Sequence, residues 1–344
     1  MNKKILHSEI QKHIDTFTDL VSVEFHSTWG RHKDTFPEAH MEHKNVMRTP
    51  LYWYSPSSRS YIGLWQFSNA HFSTGKAVQE MTLATLIDDV AVELAYRVFN
   101  SANEGPHVGV TVNLNIRRDG ESAQARTFYF AADAATVSGR KVVVECSLFD
   151  ALSGTKIMTA RALLVFVPIA SKAILSDKPQ PISIDAGSQL PALDGPAARH
   201  LSTEELENLS QVMNFLPHGL IAHTNGRVDV QTGRLVVLLS FGKKIRGPPA
   251  HVHGGVLATV LNNASALLFS AVTGNTLRSV VALQRNVSYR KGMPIDSQNV
   301  LIDAVIESTS KDQIIIVAQL LRDTQLCTTL RTTFLLPKIR SSKL

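Results

Sequence analysis

Two stretches of the chain carry apolar residues at helical spacing, and each is followed by segments in which apolar and polar residues alternate. The helical stretches are 77–100 and 254–271, where apolar side chains recur every three or four residues. The alternating segments predict strands, because a strand points successive side chains to opposite faces. These strands are 61–67, 108–117, 125–135, 142–150 and 156–167 in the first half, and 279–290, 298–309, 312–323 and 326–336 in the second. A long helix followed by an antiparallel meander is therefore predicted twice.

The two halves also repeat in sequence. Met81–Tyr96 aligns without a gap with Gly255–Ser270, at an offset of 174 residues. Both copies contain Leu-Ala-Thr, two further residues, and then a doublet. That doublet is Asp88-Asp89 in the first copy and Asn262-Asn263 in the second. The chain is therefore predicted to use one structural unit twice.

The remaining segments predict the connections. Residues 1–24 have helical spacing of apolar residues, residues 25–58 are predicted to be irregular, and Ser202 or Thr203 is the natural cap of a short helix. A hairpin is predicted from 218–225 and 227–241. The predicted organisation is an extension over 1–60, a first domain over 61–170, a linker over 171–200, a second domain over 201–338 and a tail over 339–344. The linker is rich in Pro, Ser, Ala and Gly.

Composition describes a folded chain with a modest positive charge. Of 344 residues, 44% are hydrophobic and 19% charged, which excludes a disordered chain and suffices for two cores. The formal charge of +6 is scattered, so solubility is its simplest explanation. Nucleic acid is expected as a partner only within a larger complex.

The cysteines, histidines and apolar runs exclude several classes of site. Cys146 and Cys327 have no zinc spacing and fit buried thiols in a reducing intracellular compartment, either the cytoplasm or the mitochondrial matrix. His40 and His43 form a short pair with no second ligand cluster, so no metal site is predicted. No uninterrupted run reaches the ~18 apolar residues of a membrane span.

One motif suggests chemistry. His253-Gly254-Gly255 opens the second helix, where glycines allow close approach of the backbone. A helix start also offers unpaired N–H groups and a partial positive charge, which suit a polarised carbonyl oxygen. The glycines could equally be needed only for a tight entry into the helix.

A long helix opened by His-Gly-Gly and followed by an antiparallel sheet resembles the hotdog fold. More narrowly, 253–262 resembles the branch of hotdog acyl-CoA thioesterases related to phenylacetate degradation. The resemblance covers most of 61–170 and 205–338. It implies an α+β fold of two tandem hotdog domains that form an intramolecular pseudo-dimer. It also implies hydrolysis of an acyl-CoA, with coenzyme A present only as part of the substrate.

The chain departs from this family in a complementary way. The family places an aspartate nine residues after the histidine, where the second copy has Asn262 and the first has Asp88. The first copy has Gln79-Glu80-Met81 at the His-Gly-Gly positions. The family also has Ser or Thr on the following strand, where the first copy has Thr111 and the second Ala282. Each copy is therefore incomplete alone, and together they complete one set.

Helix geometry requires the two copies to meet. Position 262 lies about 12 Å along the helix from Gly254, because an α-helix rises ~1.5 Å per residue. A base must lie within hydrogen-bond reach of the reacting centre. The base must therefore come from a second helix lying alongside in the opposite sense, and hotdog relatives usually obtain it from their second protomer.

The resemblance implies roles for five residues. Asp88 would be the base or nucleophile, Thr111 would position the water or the carboxylate, and His253 would fix the turn. Gly254, helped by Gly255, would polarise the thioester carbonyl. Four basic residues are candidates for holding coenzyme A phosphates: Lys243, Lys244, Arg290 and Lys291.

Alternatives remain at this stage. Asp88 could be a structural helix residue with Asp89 as the alternative register, and Thr111 could be an ordinary strand residue. The runner-up function is a catalytically inactive hotdog pseudo-dimer that serves as a binding or assembly component. A hotdog hydratase fits less well, because neither helix follows an Asp-x4-His run. Exposed sheet edges would allow further homo-oligomerisation.

Overall fold

The computed structural model describes most of the chain in one continuous antiparallel sheet with its helices. The described residues are 7–23, 47–67, 80–100, 107–120, 126–168, 190–191, 193, 195, 197–210, 221–242, 245, 251–277, 280–295 and 297–336. The helices are α1 (Ser8–Asp15), α2 (Glu80–Asn100), α3 (Thr203–Ser210) and α4 (Gly254–Thr273). The strands are β1 (Val21–Val23), β2 (Met47–Ser55), β3 (Ser60–Phe67), β4 (His107–Arg118), β5 (Thr127–Ser138), β6 (Lys141–Asp150), β7 (Lys156–Pro168), β8 (Ala198–His200), β9 (Ile221–Asp229), β10 (Arg234–Phe241), β11 (Ala282–Tyr289), β12 (Val300–Thr309), β13 (Gln313–Arg322) and β14 (Gln325–Leu335).

The sheet has the same strand order outward from its centre in both directions. From β4 the order is β7, β6, β5, β3, β2 and β1, and from β11 it is β14, β13, β12, β10, β9 and β8. The central pair β4–β11 is antiparallel, with Asn115 opposite Asn286. Because β4 and β11 come from different halves of the sequence, this pair joins the halves through backbone hydrogen bonds.

Helices α2 and α4 form the centre of one apolar core. They pack against each other and against strands of their own halves. Both are apolar on nearly all sides, as expected for helices surrounded by protein. Buried side chains include Leu83, Leu86 and Leu94 on α2, and Leu261 and Leu268 on α4, each at 0% exposure. Burying one such side chain contributes roughly 1.5–3 kcal/mol to stability.

The helices α2 and α4 run in opposite senses. The start of α4 meets α2 at Thr85 and Asp88, well inside that helix. Asn262, eight residues into α4, is linked through one arginine to Glu80 at the start of α2. A base from an oppositely directed second helix is therefore within reach of the His-Gly-Gly turn.

Helix α1 covers the opposite face of the sheet. Ile10 is buried with Tyr129 and Ile62, and Ile14 and Phe17 pack beside them. The amphipathic helix predicted over 1–24 is thus present over a shorter range. The chain has left the helix by Val21, which lies in the edge strand β1 and is 54% exposed.

Two local predictions were wrong. The segment 25–58 contains the strand β2, whose Tyr52 is buried and stacks on Tyr61 with ring centroids 5.6 Å apart. Pro50 obscured this strand, but it lies within a register shift between Arg48 and Leu51, where a strand tolerates proline. His40 and His43 lie outside the described residues.

The turn of the second hairpin is also later than predicted. Strand β9 continues through Gly226 to Asp229, and the turn includes Gly233, whose φ of +63° favours glycine. Gly226 is instead required by packing, because a Cβ there would lie 2.6 Å from Leu201 Cδ1. Gly226 is therefore explained by the close approach of the Leu201 side chain and not by a turn.

The short helix α3 is capped by Ser202, one of the two predicted candidates. Ser202 Oγ accepts the Glu205 N–H at 3.2 Å, and Glu205 Oε2 accepts the Ser202 N–H at 2.8 Å. This reciprocal pair is a capping box, which satisfies two backbone donors that the helix itself cannot.

Among the described residues, one helix, α4, is long and apolar enough to cross a membrane by length and composition alone. Of its most apolar window, 67% is buried inside the protein. Burial of this extent is typical of the core helix of a folded domain.

Candidate active site

The start of α4 is capped by its own histidine. His253 has φ −59° and ψ 134°, and its ring Nδ1 accepts the Gly255 N–H at 3.1 Å. The N–H of Gly254 donates to no acceptor within the described part of the chain. Of the two glycine N–H groups expected to polarise a carbonyl, Gly255 therefore supplies its own to the cap, and Gly254 retains a free donor.

Gly255 is required by the packing of the two helices. A Cβ at this position would lie 2.3 Å from Thr85 Cγ2 and 2.6 Å from Thr85 Oγ1 on α2. At Gly254 the nearest atoms would be Tyr289 Cε1 at 3.4 Å and Asp88 Oδ2 at 3.5 Å, which are ordinary contacts. The second glycine therefore serves helix packing, and the first leaves a space beside a carboxylate.

The structure brings Asp88 and Thr111 to this space. Thr111 Oγ1 donates to Asp88 Oδ1 at 2.9 Å, and both side chains are buried. The pairing of β4 with β7 changes register between Thr111 and Asn113. Such a bulge re-aims a side chain, and here it lies next to the threonine that contacts Asp88.

Burial dominates the electrostatics of Asp88. The carboxyl is only 4% exposed, and burial followed by the charge of Asp89 raises its pKa to about 6, against smaller opposing effects of His253 and Thr111. A carboxylate with this pKa is largely ionised at neutral pH and is a stronger base than an exposed aspartate.

Asp89 contacts the histidine of the other half. Its Oδ1 lies 2.9 Å from His253 Nε2, and both side chains are largely buried. Burial by itself lowers the pKa of His253, but the Asp89 carboxylate and its hydrogen bond outweigh burial and leave the pKa raised. The two adjacent aspartates thus have different partners: Asp88 faces Gly254 and Thr111, and Asp89 holds His253.

Sequence reasoning did not identify Tyr289. This residue ends β11, and its hydroxyl donates to the Gly254 carbonyl at 3.1 Å. Burial, followed by the charges of Asp88 and Asp89, raises the pKa of Tyr289 well above its ordinary value. The only sequence signal was its place directly before Arg290. We call Asp88, Thr111, His253, Gly254 and Tyr289 the Asp88 cluster.

The basic candidates divide into two groups. Arg290 and Lys291 are exposed and directly follow Tyr289, so they lie near the Asp88 cluster. Their backbone N–H groups bond the Cys327 carbonyl at 2.8 and 3.1 Å, and Lys291 Nζ contacts Gln325 Oε1. Lys243 and Lys244 lie outside the described residues.

The equivalent positions of the repeat hold different chemistry. At the offset of 174, Glu80 aligns with Gly254 and Asn262 with Asp88. Arg285 Nε donates to Asn262 Oδ1 at 2.8 Å, and Arg285 Nη2 to Glu80 Oε2 at 2.8 Å. Arg118 Nη1 pairs with Glu80 Oε1 at 2.9 Å. We call Glu80, Arg118, Asn262 and Arg285 the Arg285 cluster.

The Arg285 cluster lacks both an unpaired carboxylate and an open glycine turn. Arg285 is 5% exposed and was not identified from the sequence. Ala282, the counterpart of Thr111, is buried and cannot donate a hydrogen bond, although β11 also changes register beside it. The cluster is therefore a partly buried ion network whose one carboxylate, Glu80, is paired with two arginines.

Across the described ranges no three His, Cys, Asp or Glu side chains are grouped as a metal site requires. Both cysteines are free and buried. Burial, followed by the charges of Asp133, Asp88 and Glu145, raises the pKa of Cys146 far above its ordinary value, so its thiol stays protonated.

Solved structures with similar architecture were found by comparison. The 12:0-ACP thioesterase from Umbellularia californica matches with a TM-score of 0.50 at 9% identity, covering 80% of this chain and 94% of that one. An acyl-ACP thioesterase from Bacteroides thetaiotaomicron matches at 0.46 and 11% identity, covering 81% and 98%. A protein of unknown function with a hotdog fold from Alicyclobacillus acidocaldarius matches at 0.46 and 12% identity, covering 82% and 94%.

The chain has a hotdog fold. The long helices against an antiparallel sheet and the structural likeness agree on this point. No protein-family model and no curated protein sequence matches the chain. At these identities the likeness concerns the fold, so function must be argued from the site itself.

Proposed function

We propose that this protein is a thioesterase that hydrolyses an acyl-CoA, or a related acyl thioester, at one site formed between two fused hotdog domains. The observation that carries the proposal is the proximity of the Asp88 carboxylate to Gly254 at the start of the opposite helix. Oδ2 lies 3.5 Å from where a Gly254 side chain would begin. A buried base thus lies beside the residue that carries the free backbone donor, with room between them for about one methyl group.

In the proposed reaction the thioester carbonyl oxygen accepts the Gly254 N–H at the positive end of α4. A preorganised donor of this kind contributes about 3–4 kcal/mol to lowering a barrier. Asp88 then removes a proton from a water that attacks the carbonyl carbon, or it attacks that carbon itself. With water as the nucleophile, the C–S bond breaks, the proton held by Asp88 passes to the thiolate of coenzyme A, and the free acid leaves. With Asp88 as the nucleophile, C–S cleavage leaves an anhydride between the acyl group and Asp88, and a water then hydrolyses it, releasing the acid and supplying the proton that the thiolate takes up.

The neighbouring residues have defined tasks in this mechanism. Thr111 donates to one carboxylate oxygen and leaves Oδ2 directed at Gly254. Tyr289 holds the Gly254 carbonyl, which fixes the turn. Arg290 and Lys291 are the proposed contacts for coenzyme A phosphates, because they are cationic, exposed and next to Tyr289. We propose the same role for Lys243 and Lys244 on the sequence alone.

The proposed organisation is a first hotdog domain over 61–170 and a second over 201–338, joined by a linker over 171–200. The matching strand order on the two sides of β4–β11 and the sequence repeat support the fusion. The free cysteines are consistent with a reducing compartment, and we propose the cytoplasm or the mitochondrial matrix. Further association through the edge strands β1 and β8 is part of this proposal.

A panel of acyl-CoA substrates tests the activity. The purified full chain should release free thiol from at least one acyl-CoA, and Asp88→Asn should reduce that release to the background rate. No release from short, medium, long or aromatic acyl chains, with acyl-carrier-protein thioesters included, would refute the thioesterase. It would favour the alternative, an inactive hotdog pseudo-dimer within a larger assembly.

A further inference from the structure

The hydrogen bonds around His253 determine which ring nitrogen carries its proton. The Gly255 N–H is a donor, so Nδ1 must be the acceptor and is unprotonated. The proton of the neutral ring therefore lies on Nε2, which faces Asp89 Oδ1 at 2.9 Å. A carboxylate beside one ring nitrogen commonly selects the tautomer of a histidine in this way.

This tautomer decides which glycine N–H is available. While Nδ1 accepts from Gly255, the N–H of Gly254 is the free donor at the start of α4. If the proton moved to Nδ1, the ring could no longer accept from Gly255, and the turn would lose its cap. The arrangement of the turn therefore depends on a carboxylate from the opposite helix.

Apart from His253, the Asp89 carboxylate has little hydrogen bonding to offset the free-energy cost of its burial. Its Oδ2 is buried and has no hydrogen-bond partner among the described residues. The equivalent residue of the repeat, Asn263, serves a different purpose, because its Nδ2 lies 3.3 Å from the carbonyls of Asn208 and Leu209 at the end of α3. A buried carboxylate with one strong contact, absent from the other copy, indicates a local role at this site.

We propose that Asp89 is a positioning residue that holds His253 in the Nε2–H tautomer, so that the turn presents the Gly254 N–H to the substrate carbonyl. The inference rests on the proposed thioesterase activity for its catalytic consequence, but not for the tautomer itself. Asp89 touches His253 and not the reacting atoms, so it acts through the histidine.

Two further titratable groups interact with the Asp89–His253 pair. They are Asp88 on α2 and Tyr289 on β11. The negative charge of Asp89 also acts on Asp88, its neighbour in sequence. The loss of the hydrogen bond and the loss of the charge must therefore be tested separately. Comparing Asp89→Ala with Asp89→Asn does this. Alanine removes both, whereas asparagine keeps an oxygen that accepts from Nε2–H.

The first experiment is two-bond ¹H–¹⁵N spectroscopy of the full chain labelled at histidine nitrogens, with His253 assigned from its loss in His253→Gln. In the wild type above the His253 titration, the proton should lie on Nε2. Asp89→Ala should shift the ring towards the Nδ1–H form, and Asp89→Asn should keep it on Nε2. A wild-type ring protonated on Nδ1, or a ring unchanged by Asp89→Ala, would overturn the proposal.

The second experiment measures kcat and KM against pH with the best thioester of the panel. Asp89→Ala should lower kcat on the order of 10- to 100-fold, by analogy with the loss on removing a partner that orients a metal-ligating histidine, with KM little changed. Asp89→Asn should retain most of kcat and shift its rise to lower pH, because Asp88 loses a neighbouring charge. Asn263→Ala is the matched control and should leave kcat unchanged.

The two experiments separate the possible failures. If no thioester is hydrolysed but the ring responds as expected, only the proposed function fails. If thioesters are hydrolysed and Asp89→Asn loses as much kcat as Asp89→Ala, the positioning role is wrong and charge alone matters. The wild-type spectrum decides the tautomer even if Asp89→Ala does not fold.

Discussion

The Asp88 cluster and the Arg285 cluster occupy equivalent positions of the repeat, but the carboxylates in them have opposite kinds of neighbour. In the first, a carboxylate is buried beside another carboxylate, and its pKa rises to about 6. In the second, Glu80 pairs with Arg118 and Arg285, and Asn262 carries no charge. The comparison shows that the Asp88 cluster buries a carboxylate beside a like charge, whereas the Arg285 cluster pairs its one carboxylate with two cations. Strained, poorly compensated charge is typical of functional sites, and compensated charge of structural ones.

The largest expected difference between the clusters is in turnover. Asp88→Asn should lower kcat on the order of 10²- to 10⁴-fold, because a general base contributes about that much. Asn262→Ala, the matched substitution in the other cluster, should leave kcat nearly unchanged. A thiol-release assay on both variants checks this, and equal losses would show that the two clusters are not functionally different.

The next difference is in stability. Arg285→Met should lower the free energy of unfolding by about 1–3 kcal/mol, because Glu80 Oε2 and Asn262 Oδ1 lose their donor, although Glu80 keeps its pair with Arg118. Turnover of the folded protein should change little. Urea denaturation measures the loss, and the double variant with Glu80→Gln should recover part of it. Full stability in Arg285→Met would mean that the network contributes nothing.

Alanine substitutions at Gly254 and Gly255 should have different effects, one on turnover and the other on stability. Gly255→Ala should lower the free energy of unfolding by about 1–3 kcal/mol, because its methyl group would overlap Thr85. Gly254→Ala should keep stability but lose turnover, since its methyl group would occupy the space beside Asp88. Denaturation and thiol release on the pair give this contrast. The proposed site would be wrong if Gly254→Ala retained full turnover.

The smallest predicted effects concern pH. Because the pKa of Asp88 is about 6 when folded, kcat should rise with pH through about 6 and then level off. The folded chain binds this proton more tightly than the unfolded chain, so the Asp88 contribution lowers stability as pH rises from 4 to 6, by about 2 kcal/mol. Asp88→Asn should therefore be more stable than the wild type at pH 7.

Thr111→Val provides the control for that pH profile. The Thr111 hydrogen bond lowers the pKa of Asp88, so its removal should move the rise of kcat to higher pH. Rate profiles of both proteins between pH 5 and 8 measure the shift. A profile that is flat in the wild type would exclude Asp88 as the titrating base.

The repeat made much of the fold predictable. The helices α2 and α4 and the four strands after each were predicted within a few residues, because the helices are long apolar segments and the strands alternate apolar and polar residues. Strand β2 was missed because Pro50 and a bulge interrupt its alternation. The turn near Gly226 was misplaced because glycine permits close packing as well as turns, and the sequence does not distinguish the two.

The candidate site was predictable only in part. Complementary losses in the two copies pointed to Asp88, Thr111 and Gly254 as neighbours, and in the structure they are. Tyr289 and Arg285 could not be found in this way, because their partners lie on helices far from them in sequence: Gly254 and Asn262 on α4, and Glu80 on α2. No local pattern encodes how β11 packs against these helices, so such contacts appear only in three dimensions.

The pairing of β4 with β11 within one chain allows the two clusters to differ in sequence. In a symmetric pair of identical chains, every substitution would appear in both clusters at once. Here the strands that meet belong to one polypeptide, so each cluster can change independently of the other. The covalent link also holds the two contributing helices at a fixed local concentration. Turnover per molecule is therefore expected to survive dilution to levels at which a loosely associated pair would separate.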